Sequence, residues 1–133
     1  MQTNQIQDFL FQYIKNFEYI ESIIISDKEG IEIFSAYRDE NSQIKENQAT
    51  TMFVAGLNSS NENLLKLNQT KMNNLTLFYD NYIVYLEPGV NFFVTIFCKI
   101  DCNLSMVKQL STDMIKAFSI MSAELDKINL NKP

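Results

Sequence analysis

Apolar residues recur along this chain with two different periods, and the change from one to the other marks out its elements. Between Gln5 and Phe17 the residues Ile6, Phe9, Leu10, Tyr13, Ile14 and Phe17 return at three- and four-residue spacings, one stripe of a helix, while Gln7, Gln12, Lys15 and Asn16 fall mainly elsewhere. From Tyr19 to Ser26 the period is lost in the β-branched run Ser22-Ile-Ile-Ile-Ser26. The turn signal Asp27-Lys-Glu-Gly30 and the alternating Ile31-Glu-Ile-Phe34 follow, and together they predict a hairpin. Gly30 is expected to supply a positive φ and Asp27 to cap the turn through its carboxylate. One or two carboxylates make a poor calcium site, so this turn is read as structural.

Residues 37–47 are polar and without period, which predicts a mobile loop. A second helix is expected from Gln48 to Leu67, with Met52, Phe53, Leu57, Leu64 and Leu67 as apolar anchors. Its middle holds Ala55-Gly56 and Ser59-Ser60, small residues spaced so that another backbone can approach. A mid-helix Gly costs about 1 kcal/mol against Ala, so tight packing is a reason to keep it.

From Met72 to Cys98 three extended segments follow one another almost without interruption: Leu75-Thr-Leu-Phe-Tyr79, Tyr82-Ile-Val-Tyr-Leu86 and Phe92-Phe-Val-Thr-Ile-Phe97. Asp80-Asn81 separates the first two as a two-residue turn and Pro88-Gly89 the last two, which predicts an antiparallel meander. The middle segment is apolar on both faces, Tyr82, Val84 and Leu86 on one and Ile83 and Tyr85 on the other, so helices must cover both sides. After a loop over 99–103, Asn103 is a candidate cap for a third helix, whose stripe is Leu104, Val107, Leu110, Met114, Phe118, Met121 and Leu125. The polar tail from Asp126 is expected to fray. The fold class is thus α+β, one domain over 1–133 with its core over about 5–125, built on a five-stranded antiparallel sheet with helices one and three on the face opposite helix two.

At 46% hydrophobic, 133 residues suffice for one core. The net charge of −5 gives no basic footprint, so neither nucleic acid nor an anionic membrane surface is an expected partner. The start, Met1-Gln-Thr-Asn-Gln5, carries no signal-peptide pattern and no glycine for myristoylation, and the end, Asn-Lys-Pro133, carries no prenylation box. A cytosolic chain that borrows any membrane residence from a partner is expected. With no histidine and only Cys98 and Cys102, a metal site lacks ligands and acid–base catalysis its usual residue, so no metal, cofactor or catalytic residue is assigned. Cys98 is read as a core thiol at the end of a buried strand. The sequons at Asn58, Asn68, Asn74 and Asn103 are read as chance in an asparagine-rich chain.

The order helix, strand, strand, helix, strand, strand, strand, helix, with Ile23-Ile-Ile-Ser-Asp-Lys-Glu-Gly-Ile-Glu-Ile33 as the first hairpin and Leu75-Thr-Leu-Phe-Tyr-Asp-Asn-Tyr-Ile-Val-Tyr85 as the second, resembles the roadblock/LC7 family. The likeness runs from about Phe9 to Leu125 and is strongest to the MAP-kinase scaffold branch that serves in Ragulator complexes. It implies a three-layer domain and a non-enzymatic adaptor that pairs with another roadblock-domain protein, a heterodimer being favoured over a homodimer. It further implies recruitment of Rag-type GTPases and MAP-kinase components for TOR and MAPK signalling, on late endosomes or lysosomes through a lipidated partner. A dynein light chain of the roadblock type, a homodimeric roadblock regulator of a small GTPase and a small enzyme or ligand binder stay open as alternatives.

The partner surface is expected on the second helix and the strand Leu75 to Tyr79. An alternating, charge-free strand without proline, placed at a sheet edge by the meander, invites pairing. Two-fold pairing there would bring the second helices together. The residues assigned to this contact are Phe53, Ala55, Gly56, Ser59, Ser60, Leu64, Leu75, Leu77 and Tyr79.

Overall fold

The computed structural model describes the backbone of residues 2–39, 43–66, 73–79 and 81–130, with side chains placed over 5–39, 48–62, 73–79 and 81–120. The chain runs α1 (Gln2–Asn16), β1 (Ile20–Ser26), β2 (Glu32–Tyr37), α2 (Gln43–Lys66), β3 (Leu75–Tyr79), β4 (Tyr82–Pro88), β5 (Phe93–Lys99) and α3 (Leu104–Leu130). All strand pairs are antiparallel, in the order β2-β1-β5-β4-β3. The expected element order and meander are therefore present. β5, buried from Phe93 to Cys98, is the central strand.

The two faces of the sheet are filled differently. On one, Ile6, Leu10 and Ile14 of α1 and Val107, Met114 and Phe118 of α3 pack on Ile23, Ile25, Ala36, Tyr85, Val94, Ile96 and Cys98. Here α1 lies over β1 and β2, and α3 over β5 and β4. On the other face α2 lays Ala49, Val54 and Leu57 against Ile24, Val84, Leu86, Phe93 and Phe97. Its bed also holds Ser22, Ser26 and Thr95, fully buried hydroxyls without a hydrogen-bond partner among the described residues. An unpartnered buried hydroxyl costs about 1–3 kcal/mol. The face of α1 and α3 has two of its own, Tyr19 and Ser111.

The turn between β1 and β2 supports α2 from the side. Asp27 Oδ1 accepts the amides of Glu29 (2.9 Å) and Ile31 (3.0 Å), as the turn signal implied. Gly30 has φ +87°, in the left-handed region where a side chain is strained. It also has no room: a Cβ there would stand 2.8 Å from the Thr51 Cα and 3.1 Å from the Val54 Cβ. Across that close approach Thr51 Oγ1 donates to the Gly30 carbonyl at 2.9 Å, and Asn58 Nδ2 to the Lys28 carbonyl at 3.0 Å.

Several expectations are corrected. β2 continues to Tyr37 and α2 starts at Gln43, so the stretch read as one long loop is strand at one end and helix at the other. Arg38, counted among its loop charges, donates from Nη2 to the carbonyls of Ile14 and, at 3.0 Å, Phe17, and from Nε to Ile20 at 3.1 Å. It thus satisfies carbonyls at the open end of α1. α3 remains helical to Leu130 rather than fraying at Asp126. Met52 is 67% exposed and does not anchor α2, and Phe9 is only partly buried while Phe118 is buried. Leu64, Met121 and Leu125 have side chains outside the described set, as has all of Leu67. Asn103 does cap α3, its Oδ1 accepting from the Met106 amide at 3.3 Å. Cys98 is buried, and burial first, then the neighbouring Cys102, pushes its thiol pKa up, which makes it inert.

Phe118 stacks edgewise on Phe92 (4.7 Å between ring centroids) and Phe34 (5.8 Å), so Phe118→Ala should lower the unfolding free energy by about 3–5 kcal/mol in a urea titration. An unchanged midpoint would mean that α3 is peripheral. Gly30→Val combines backbone strain of about 1–3 kcal/mol with a backbone clash. It should destabilise and, in amide exchange, loosen α2 more than α1; equal loosening of both would show that the turn does not hold α2.

Candidate partner interface

Both ends of the sheet are edges, but only one is guarded. Arg38 N donates to the Glu21 carbonyl, flanking the Ser22–Tyr37 pair, so in this ladder the backbone groups of Ser35 and Tyr37 point away from β1. The amide of Gln7 on α1 donates to that outward Ser35 carbonyl. A register shift between Ile25 and Ser26 further distorts the pairing beside Glu32. Side-chain cover and a bulge are two ways in which proteins blunt an edge.

Among the described residues β3, at the other end of the order, carries neither device. Its register with β4 is unbroken from Leu75–Leu86 to Tyr79–Tyr82, and Leu75-Thr-Leu-Phe-Tyr79 has no charge and no proline. Leu75, Leu77 and Tyr79 turn toward α2 and are half-buried. Phe53 of α2 meets the Tyr79 ring edge-on at 5.4 Å, and both rings contact Phe97, at 6.5 and 6.4 Å. Tyr82 adds a further edge contact to Phe97 at 6.0 Å. This aromatic seam joins the flank of α2 to the edge strand.

Above the seam, α2 presents a low surface. Ala55, Gly56 and Ser59 are exposed and Ser60 is half-buried. A Cβ built on Gly56 would meet nothing within 4 Å. Tight packing inside the chain therefore does not explain this glycine, and the helix pays about 1 kcal/mol for it without an internal return. Phe53, Leu75, Leu77 and Tyr79 thus come together between α2 and β3, and Gly56, Ser59 and Ser60 follow on the outer side of the helix, while Ala55, two residues and about 200° around from Phe53, lies on the opposite flank and the side chain of Leu64 lies outside the described residues. Two residues were missed. Met52 stands four and seven residues before Gly56 and Ser59, on the same exposed stripe, and that spacing was legible. Phe78, 76% exposed on β3, faces the opposite side of the sheet.

The chemistry of this surface is that of contact. Among the described residues no three His, Cys, Asp or Glu stand together to hold a metal ion. Two surface depressions, about 290 Å³ lined by Ile31, Glu32, Gln48 and Thr51 and about 340 Å³ lined by Lys28, Asn58, Pro88, Gly89, Val90, Phe92 and Phe93, both lie away from β3. No described helix is long and apolar enough to cross a membrane.

A family model described as mitogen-activated protein kinase kinase 1 interacting matches residues 4–125. Solved structures with the same fold include a roadblock/LC7 domain from Streptomyces avermitilis, at 6% identity and TM-score 0.70 over 84% of this chain and 92% of that one. The gliding protein MglB from Thermus thermophilus aligns at 9% identity and TM-score 0.75 over 92% of each chain, and MglB from Myxococcus xanthus at 14% and 0.65 over 90% of each. No curated protein matches by sequence.

Gly56→Ala should leave the stability of the dilute, unpartnered chain unchanged or raise it by up to about 1 kcal/mol. A thermal or urea midpoint that falls would show that Gly56 packs within its own chain.

Proposed function

The chain belongs to the mitogen-activated protein kinase kinase 1 interacting family of roadblock/LC7 domains, and on that premise we propose that it is a scaffold subunit working as half of a pair. These families are non-catalytic adaptors. The partner is a second roadblock-domain protein, a different chain in preference to a copy, bound through α2 and β3. Continuation of the sheet across the two β3 edges satisfies their outward backbone groups, and places the two α2 helices side by side where Gly56, Ser59 and Met52 meet their counterparts. The observation that carries this reading is the open space over Gly56 beside an unguarded edge strand.

The pair then serves as the platform for Rag-type GTPases and for MAP-kinase components, the kinase kinase of the family's description among them. A lipidated partner holds it at the late endosome or lysosome, where it acts in TOR and MAPK signalling. The family match favours this address over a dynein motor, the other home of the fold.

A stable pair of this kind should bury at least about 1,200 Å² in total. Gly56→Glu or Leu77→Lys puts a charge at its centre and should halve the mass seen by light scattering, with the far-UV spectrum retained. The same variants should lose the roadblock partner, and with it GTPase and kinase, on co-purification. Folded variants that keep the full complex would remove α2 and β3 from consideration. A wild-type complex containing dynein intermediate chain and no GTPase would overturn the address while leaving the pairing intact.

A further inference from the structure

Three ionisable groups stand together where β5 passes into α3. Cys98 is the last buried residue of β5 and belongs to the core under α1 and α3. Cys102 follows in a turn, its amide donating to the Lys99 carbonyl at 3.1 Å, and the turn folds it back until it packs on the same core. Both are free thiols, and their side chains are hydrogen-bonded to each other. The third group is Tyr19, which immediately precedes Ile20, the register partner of Cys98. Its hydroxyl is buried without a hydrogen-bond partner among the described residues, and the two sulfurs are the ionisable groups that act on it. The cluster lies on the face away from α2, with β4 between its strand and β3, so the pairing proposed above does not use it.

The two thiols are not equivalent. Cys98 has no exposed surface, whereas Cys102 is half-buried in a surface turn. Cys98 donates the hydrogen bond and Cys102 accepts it, so the contact raises the pKa of the first thiol and lowers that of the second. Burial acts more strongly still on Cys102 and holds its pKa above the ordinary value. Cys102 is therefore the more easily ionised and the more accessible of the two, yet slower to react than a thiol in open water.

We infer that Cys98 and Cys102 form a reversible dithiol–disulfide site, with Cys102 as the attacking sulfur and Cys98 as the resolving one, and that its oxidant is a small disulfide of the glutathione type. The Cys102 thiolate attacks one sulfur of the oxidant, and the other half leaves as a thiolate and takes up a proton from water. A mixed disulfide then stands on Cys102. Cys98 attacks the Cys102 sulfur, and its proton passes to the second small thiol as that leaves. Two protein thiols are oxidised to one disulfide while one small disulfide is reduced to two thiols. Buried Cys98 is inert toward dissolved reagents and reacts only with the sulfur already in contact with it. The new bond ties the central strand to the residue before Asn103, the cap of α3, so oxidation anchors the start of that helix. In a reducing compartment a bond of this kind is made and unmade, as a sensor requires.

The test exposes the full chain to oxidised glutathione and follows it by intact mass and peptide mapping. The wild-type chain should first gain one glutathione on Cys102, then lose it, ending two hydrogens lighter with Cys98 joined to Cys102 and its oligomeric state unchanged. Dithiothreitol should restore the starting mass. Cys98→Ala should keep its glutathione on Cys102, and Cys102→Ser should take up none while folded. In the oxidised wild-type chain, amides in the first turn of α3 should exchange more slowly than in the reduced one. Should either variant lose its far-UV spectrum, the wild-type time course decides, because the Cys102 adduct must precede the internal bond. A folded chain that keeps both thiols under conditions that oxidise it fully in urea overturns the site. So does glutathione that stays on wild-type Cys102, a disulfide between chains, or adduct formation on Cys98 first.

Discussion

A helix about 10 Å across covers two strands about 4.8 Å apart, and this ratio governs the whole molecule. α1 takes β2 and β1, α3 takes β5 and β4, and the fifth strand leaves Thr76 and Phe78 exposed on that face. On the other face one helix spans the centre, and Leu75, Leu77 and Tyr79 of the same strand are left half-buried at its flank. β3 is therefore short of cover on both faces and short of a neighbour on one side. Its composition is that of a buried strand all the same. The mismatch between what β3 is made of and where it stands is the structural basis for reading this domain as half of something.

The other parts bear on the same point. β2 is equally terminal, yet α1 reaches its outward carbonyl through Gln7 and a register shift bends the ladder, so that edge is finished within the chain. α2 is held by the β1–β2 turn through Thr51 and Asn58 as well as by the apolar residues of its bed, where Ser22, Ser26 and Thr95 find no partner among the described residues. A helix held along one flank, with a glycine opening onto solvent, has a face that does not serve its own fold. It is well placed to contribute to an interface instead.

Much of this was legible in the residues. The β3–β4 hairpin was read with the right starts and with the inward and outward faces of β4, because alternation and a two-residue turn leave little freedom of register. Gly30 and Asp27 declared their turn, and Asn103 its helix, through local chemistry that needs no tertiary context. What escaped was set at long range. Arg38 looked like one more charge in a polar loop, and only the fold brings it to the carbonyl end of α1. Met52 was read as an anchor since periodicity marks the apolar positions of a helix without saying which of them meet the chain's own core. Phe9 shared the stripe of α1 but stands at its margin. The site residues were placed on α2 and β3 for the approach of another backbone, and the structure leaves Gly56 open, with nothing of its own chain packed against it among the described residues. Phe78 was overlooked because the contact was assigned to one face of β3 alone, that of Leu75, Leu77 and Tyr79.

The central requirement is that a second roadblock chain covers β3, and amide hydrogen exchange along the two edges reads that directly. As roadblock partner is added, or the chain concentrated, the outward-facing amides of β3 should slow by orders of magnitude together with those in the middle of α2, while the outward amides of Ser35 and Tyr37 on β2 keep their rates. Protection appearing on β2 instead, or a doubled mass with β3 exchanging as fast as in the dilute chain, would contradict it.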